Sequence, residues 1–177
     1  VDTFINPWQQ GQTMLANTIS EGESFICYRG TGSPSSWGGF PATMFESDDI
    51  DLLTNGFMLP MVTSMTCGGG DFASEQFSTC FGEKWVSSGN PSYPYGAIGF
   101  IGPSEYDTKT WFNNANAMGI YQGITQEGLF RCGEMLLRGK MELYNNYPQS
   151  HAWGNALNSD QFYSNVAPTS LTADAVV

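Results

Sequence analysis

Residues Phe57-Met-Leu-Pro-Met-Val-Thr-Ser-Met-Thr-Cys67-Gly-Gly-Gly-Asp-Phe72 decide the fold. Once Pro60 is passed, the run is apolar without the alternation of a half-exposed strand, and it stops at a triple glycine. A strand buried on both faces of a parallel sheet reads this way. Upstream, Ser24-Phe-Ile-Cys-Tyr-Arg29 is a second β-prone run, ending in Gly30-Thr31-Gly32-Ser33-Pro34, with Trp37-Gly38-Gly39 extending the loop. Downstream, Gly96-Ala-Ile-Gly-Phe-Ile-Gly102 is a third strand, stopped by Pro103.

Helices fall between and after these runs. Residues 49–55 read as a short helix with Ser47 or Asp48 as cap, Ile50, Leu52 and Leu53 on its apolar side, and Gly56 beyond its end. Thr79-Cys-Phe-Gly-Glu-Lys-Trp-Val86 reads as another, with Thr79 as cap. Residues 106–116 carry no clear period, residues 118–124 are compatible with a helix, and residues 129–147 read as a helix. In that last helix Leu129, Cys132, Met135, Leu136, Leu143 and Tyr147 share a face, and Pro148 ends it. Strand, glycine loop and helix recur three times, which is the pattern of an α/β fold with a mainly parallel sheet. Three core strands are few for an independent open sheet, so the missing strands are expected from a second chain or a removed N-terminal part. The alternative is an unrecognised strand in residues 1–23.

Composition narrows the function. The 177 residues fit one domain, and 41 % hydrophobic residues exclude a disordered chain. Six basic against 17 acidic residues give a net charge of −11, which repels phosphate backbones and argues against nucleic acid. No stretch approaches the ~18 apolar residues of a membrane span. Val1 opens directly into folded-looking sequence, as a mature or excised product would. Four separated cysteines and one histidine disfavour a zinc cluster. No cofactor is expected for chemistry; the acidic surface is compatible with a structural calcium, but the spacing of an EF-hand loop is absent and no ligands are assigned. Cys27 and Cys132 read as buried small hydrophobes.

In an open parallel sheet, loops after adjacent strands share a crevice. Cys67 stands on one such loop, where a neighbouring base or the N-terminus of the following helix can favour the thiolate and flanking glycines let backbone N–H groups approach a carbonyl. On the residues alone, two readings stay open: a nucleophile, or a structural cysteine at a tight turn. Gly30 and Gly32 either permit a turn or frame a site. Thr31 between them cannot act as a general base; it can orient water or bind a carbonyl.

At Tyr28-Arg-Gly-Thr-Gly-Ser-Pro-Ser-Ser-Trp37, Val62-Thr-Ser-Met-Thr-Cys-Gly-Gly-Gly-Asp-Phe72, Cys80-Phe-Gly-Glu-Lys-Trp85 and Gly96-Ala-Ile-Gly-Phe-Ile-Gly-Pro-Ser104, the chain resembles the gingipain-like cysteine peptidases. The likeness covers residues 25–104 and runs more loosely to 147. It implies a three-layer caspase-like α/β sandwich with a mainly parallel sheet, of which this chain is only part. Residues 1–165 would be a partial catalytic subdomain and residues 166–177 a C-terminal tail or linker start. Carried over, Cys67 takes the nucleophile position, Thr31 the position of the catalytic histidine, and backbone at Gly32 and Gly68 the oxyanion environment; Glu83 matches a structural helix residue. The resemblance also implies a secreted or cell-surface bacterial protein and peptide substrates with basic side chains.

Thr31 departs from the family's Gly-His-Gly loop. Three explanations stand: an engineered replacement, a natural pseudoenzyme or diverged apparatus, or His151 acting as a substitute base. Two functions follow, an inactive or impaired endopeptidase domain, or a secreted binding or assembly module that keeps the fold. The second predicts an exposed apolar patch involving Trp111 and Phe112.

Overall fold

The computed structural model describes residues 11–40, 43–73, 77–104 and 109–148. In chain order its elements are α1 (Gly11–Glu21), β1 (Phe25–Arg29), β2 (Gly32–Ser33), β3 (Ser36–Phe40), β4 (Thr43–Glu46), α2 (Ser47–Ile50), β5 (Met61–Met65), α3 (Phe81–Ser87), β6 (Gly99–Ile101), α4 (Thr110–Gln126) and α5 (Cys132–Asn146). Strands β1, β5 and β6 form a parallel sheet in that order, so β5 is central. All five of its residues are buried, as the unbroken apolar run predicts.

The sheet is the middle of three layers. Ile26, Val62 and Phe100 point to one side, where Ile19 of α1, Ile50 of α2 and Phe81 and Trp85 of α3 cover them. Met61, Met65 and Ile101 point to the other, against Ile120 and Ile124 of α4 and Met135 and Leu136 of α5. The two hydroxyls inside β5 are both satisfied, as buried polar groups must be. Thr63 Oγ1 donates to the Ile26 carbonyl at 3.1 Å and lies 2.7 Å from the Tyr121 hydroxyl. Ser64 Oγ accepts the Trp37 indole N–H at 2.8 Å.

On the outer face, α4 and α5 approach so closely that glycine is required. A Cβ on Gly119 would lie 2.7 Å from the Arg138 carbonyl oxygen and 2.8 Å from the Gly139 Cα. A Cβ on Gly139 would lie 2.8 Å from the Asn116 carbonyl oxygen. Gly119 faces residue 142 while Gly123 faces residue 138, so the two helices run antiparallel.

Several elements differ from the sequence expectation. Residues 49–55 are not a helix: α2 is one turn, started by the Asp49 carboxylate accepting the Glu46 N–H at 2.7 Å, and Leu52 is exposed rather than packed. The α3 helix begins after Cys80 instead of Thr79. The third strand is three residues long, not seven, because 96–98 is occupied in tying loops together: the buried Asn55 side chain donates to the Gly96 carbonyl at 2.9 Å and accepts the Gly96 N–H at 3.1 Å. Helix α4 starts at Thr110, well before residue 118; its first turns bury Asn113 and Asn116, polar residues that give residues 106–116 no apolar period. Residues 30–39, read as a loop, hold β2 and most of β3, which pair with β4 in a small antiparallel sheet. Residues 11–21 are helical, so no strand comes from that part of the N-terminal segment. His151 and the tail 166–177 lie outside the described residues, and no described helix is long and apolar enough to cross a membrane.

Replacing glycine by alanine inside an exposed helix gains up to ~1 kcal/mol. At Gly119 the sign should reverse: Gly119→Ala is expected to destabilise by ~1–3 kcal/mol, the usual cost of overpacking, read from urea unfolding midpoints.

Candidate active site at the carboxyl ends of β1 and β5

The two loops singled out in the sequence leave the sheet side by side. In the parallel pairing of β1 with β5, Arg29 is opposite Met65. Thr31 and Cys67 each follow two residues later. Adjacent strands lie ~4.8 Å apart, and the loops remain in contact beyond the last pair: a Cβ on Gly32 would collide with the Thr66 side chain, its Cβ 2.6 Å away. Gly30 is equally confined, since a Cβ there would lie 2.6 Å from the Tyr28 hydroxyl oxygen and 2.9 Å from the ring carbon bearing it. Neither Gly30 nor Gly32 has a left-handed φ. Close approach, rather than turn geometry, is why both are glycine.

Thr31 is exposed, and its backbone is held. Its carbonyl accepts the Gly38 N–H at 2.7 Å and the Tyr28 hydroxyl at 3.0 Å, and the same hydroxyl reaches the Gly38 carbonyl. Burial pushes the Tyr28 phenol up from its ordinary pKa, so it remains a donor. Two positions after Ser35, Trp37 turns inward, stacked on Tyr28 with ring centroids 4.6 Å apart and packed on Phe45, Phe81 and Trp85 at 5.2–5.7 Å. Its bond to Ser64 fastens the loop after β1 to the strand that carries Cys67.

Cys67 is half-buried and follows the buried Thr66. Gly68 has φ +61°, a conformation that favours glycine, and so turns the chain at once. The turn is tied to two other elements: the Gly82 N–H donates to the Gly69 carbonyl at 2.7 Å, and the Gly70 N–H to the Pro103 carbonyl at 2.9 Å. Gly70 and Asp71, whose N–H goes to the Gly68 carbonyl at 3.1 Å, are therefore committed within the fold. It is Cys80, not Cys67, that stands at the N-cap position of α3, and burial pushes the Cys80 thiol up from its ordinary pKa. Glu83 is half-buried in the first turn of α3.

All four cysteines are reduced thiols. Cys27 is exposed on β1, contrary to the buried expectation; it faces Tyr121, whose phenol is raised first by burial and then by the Cys27 charge. Cys132 is half-buried with its sulfur 3.4 Å from Met61 Sδ. Among the described residues no three His, Cys, Asp or Glu side chains cluster to hold a metal ion. A cleft of about 640 Å³ opens at the opposite end of the sheet, lined by Phe25, Phe57, Met58, Met61, Cys132 and Met135, and is separate from the paired loops. Sequence reasoning missed Tyr28, Trp37, Ser64 and Thr66; only for Ser64 was there a signal, a hydroxyl within the otherwise apolar β5 run.

The layout is a three-layer α/β domain with a thiol on the loop after its central strand. The model of peptidase family C25 matches residues 3–175. Among solved structures, the Arg-specific cysteine proteinase gingipain R superimposes with a TM-score of 0.69 at 20 % identity, over 86 % of this chain and 33 % of that one. The complex of pro- and mature domains of Porphyromonas gingivalis RgpB gives 0.71 at 17 % identity, over 86 % and 34 %. No curated protein sequence matches. The chain belongs to peptidase family C25, the gingipain family, and spans about a third of the length of those structures.

Trp37→Phe keeps a ring in the aromatic cluster but removes the indole donor to buried Ser64, leaving it the longer contact with the Thr66 hydroxyl at 3.4 Å. We expect a loss of ~0.5–1.5 kcal/mol, the net worth of one hydrogen bond, read from urea unfolding midpoints.

Proposed function

We propose that this chain is part of a gingipain-like cysteine endopeptidase catalytic domain, with Cys67 at the nucleophile position and Thr31 where the general-base histidine would stand, leaving it inactive or impaired. The observation that carries the reading is the equal offset of Thr31 and Cys67 from the paired residues Arg29 and Met65. Such an offset supports a side chain on one loop standing close to a thiol on the next. Half-burial of Cys67 supports it too, since a nucleophile must be reachable and a packed structural thiol need not be.

In a relative with histidine at this position, the imidazole would take the thiol proton and the sulfur would attack the scissile carbonyl. Backbone N–H groups around Gly32 and Gly68 would hold the negative oxygen, and water would release the acyl-enzyme. The threonine hydroxyl titrates far outside the working range, and loss of a general base is worth on the order of 10²–10⁴-fold in rate. His151 remains a candidate substitute base.

The net charge of −11 is compatible with peptides bearing basic side chains and with a secreted or cell-surface bacterial protein. A sheet of three strands supports completion by an N-terminal half or a second chain. A second reading, a non-catalytic binding module, draws on Trp111, which is 50 % exposed beside Lys109. Phe112, expected in the same patch, is instead buried against Ala115 and Leu143. Native mass measurement separates the two partner arrangements: a co-purifying chain supports assembly, and a clean monomer counts against it.

The native chain should show negligible turnover of peptide substrates. Thr31→His should restore covalent labelling of Cys67 by a thiol-directed peptide inhibitor, detected by intact mass, and Cys67→Ala should abolish it. A folded Thr31→His protein that stays unlabelled would remove the peptidase reading.

A further inference from the structure

The two glycines around residue 31 rest on side chains, and those side chains set where residue 31 stands. Gly30 lies against the Tyr28 phenol, and Gly32 lies against the Thr66 side chain, one residue before the thiol. The Tyr28 hydroxyl also holds the Thr31 carbonyl at 3.0 Å and reaches the carbonyl of Gly38, so one phenol braces both limbs of the loop. Tyr28 is itself clamped, stacked on Trp37, whose indole is bonded to Ser64 on the strand of Cys67.

We infer that Tyr28 and Thr66 are positioning residues: they hold the side chain at position 31 in register with the Cys67 thiol, without touching substrate. The inference rests on the peptidase reading above. Tyr28 acts through its hydroxyl, because its ring packing on Trp37 does not need one. Thr66 acts as the floor under Gly32, which sets the spacing between the two loops. A general base displaced by ~1 Å can lose on the order of 10²-fold in rate.

The test uses the Thr31→His protein and a peptidyl chloromethyl ketone with a basic residue beside the warhead, following the labelling rate of Cys67 across pH 5–10 (roughly the range that brackets imidazole and thiol titration). Tyr28→Phe in that background should slow labelling near neutral pH on the order of 10²-fold. Its rate should then climb only toward alkaline pH and converge with the parent there. Thr66→Ala should give the same displaced pH profile, and it carries the test should Tyr28→Phe not fold. A parent that labels well while both variants keep its rate and pH profile overturns the positioning role and leaves the peptidase reading intact. A folded parent that does not label sinks that reading and the positioning role with it.

Discussion

The parallel pairing of β1 with β5 is the constraint from which the rest of this structure follows. With Arg29 opposite Met65, the chain leaves both strands at the same level and on the same end of the sheet. A slip of one residue would turn every side chain of the moving strand to the opposite face. Here that would bring Val62 and Ser64 away from the aromatic layer and Met61 and Met65 into it. The register is thus held by burial on both faces of β5, and it fixes the level at which the two loops leave the sheet.

Beyond the strand ends, ladder hydrogen bonds no longer fix the chain, and side chains take over. Trp37 is the centre of this arrangement: it is 1 % exposed, surrounded by four aromatic rings, and bonded to Ser64. The small antiparallel sheet β2-β3-β4 exists to deliver it there. On the far side, the Cys67 loop is tied to the start of α3 and to the segment after β6. Three loops at one end of the sheet are therefore locked to one another, while the apolar cleft at the other end is lined by methionine and phenylalanine side chains.

Much of the sheet was legible because buried strands announce themselves by unbroken apolar runs ended by glycine. The limits of β1 and β5 agree with the sequence reading within a residue. The amphipathic α5 was legible for a similar reason, since Met135, Leu136 and Leu143 repeat at helical spacing and are all buried. The β2-β3-β4 sheet was not, because its strands are two to five residues long and β2 and β3 are rich in glycine and serine. The first turns of α4 were hidden by asparagines that face the protein interior, and the buried bridge from Asn55 to Gly96 joins residues 41 apart in sequence, a relation no local pattern encodes. Of the candidate site, the loops and the thiol could be read from residue order. The tyrosine and threonine beneath the two glycines could not, because contact between side chain and backbone leaves no periodic trace.

Everything functional in this account turns on whether position 31 faces the sulfur across a gap that one proton transfer can bridge. A crystal structure of the Thr31→His protein measures that directly. The account predicts an imidazole nitrogen within hydrogen-bond reach of Cys67 Sγ, either directly or through a single water. An imidazole pointing away from a sulfur packed beneath the glycine turn would contradict it.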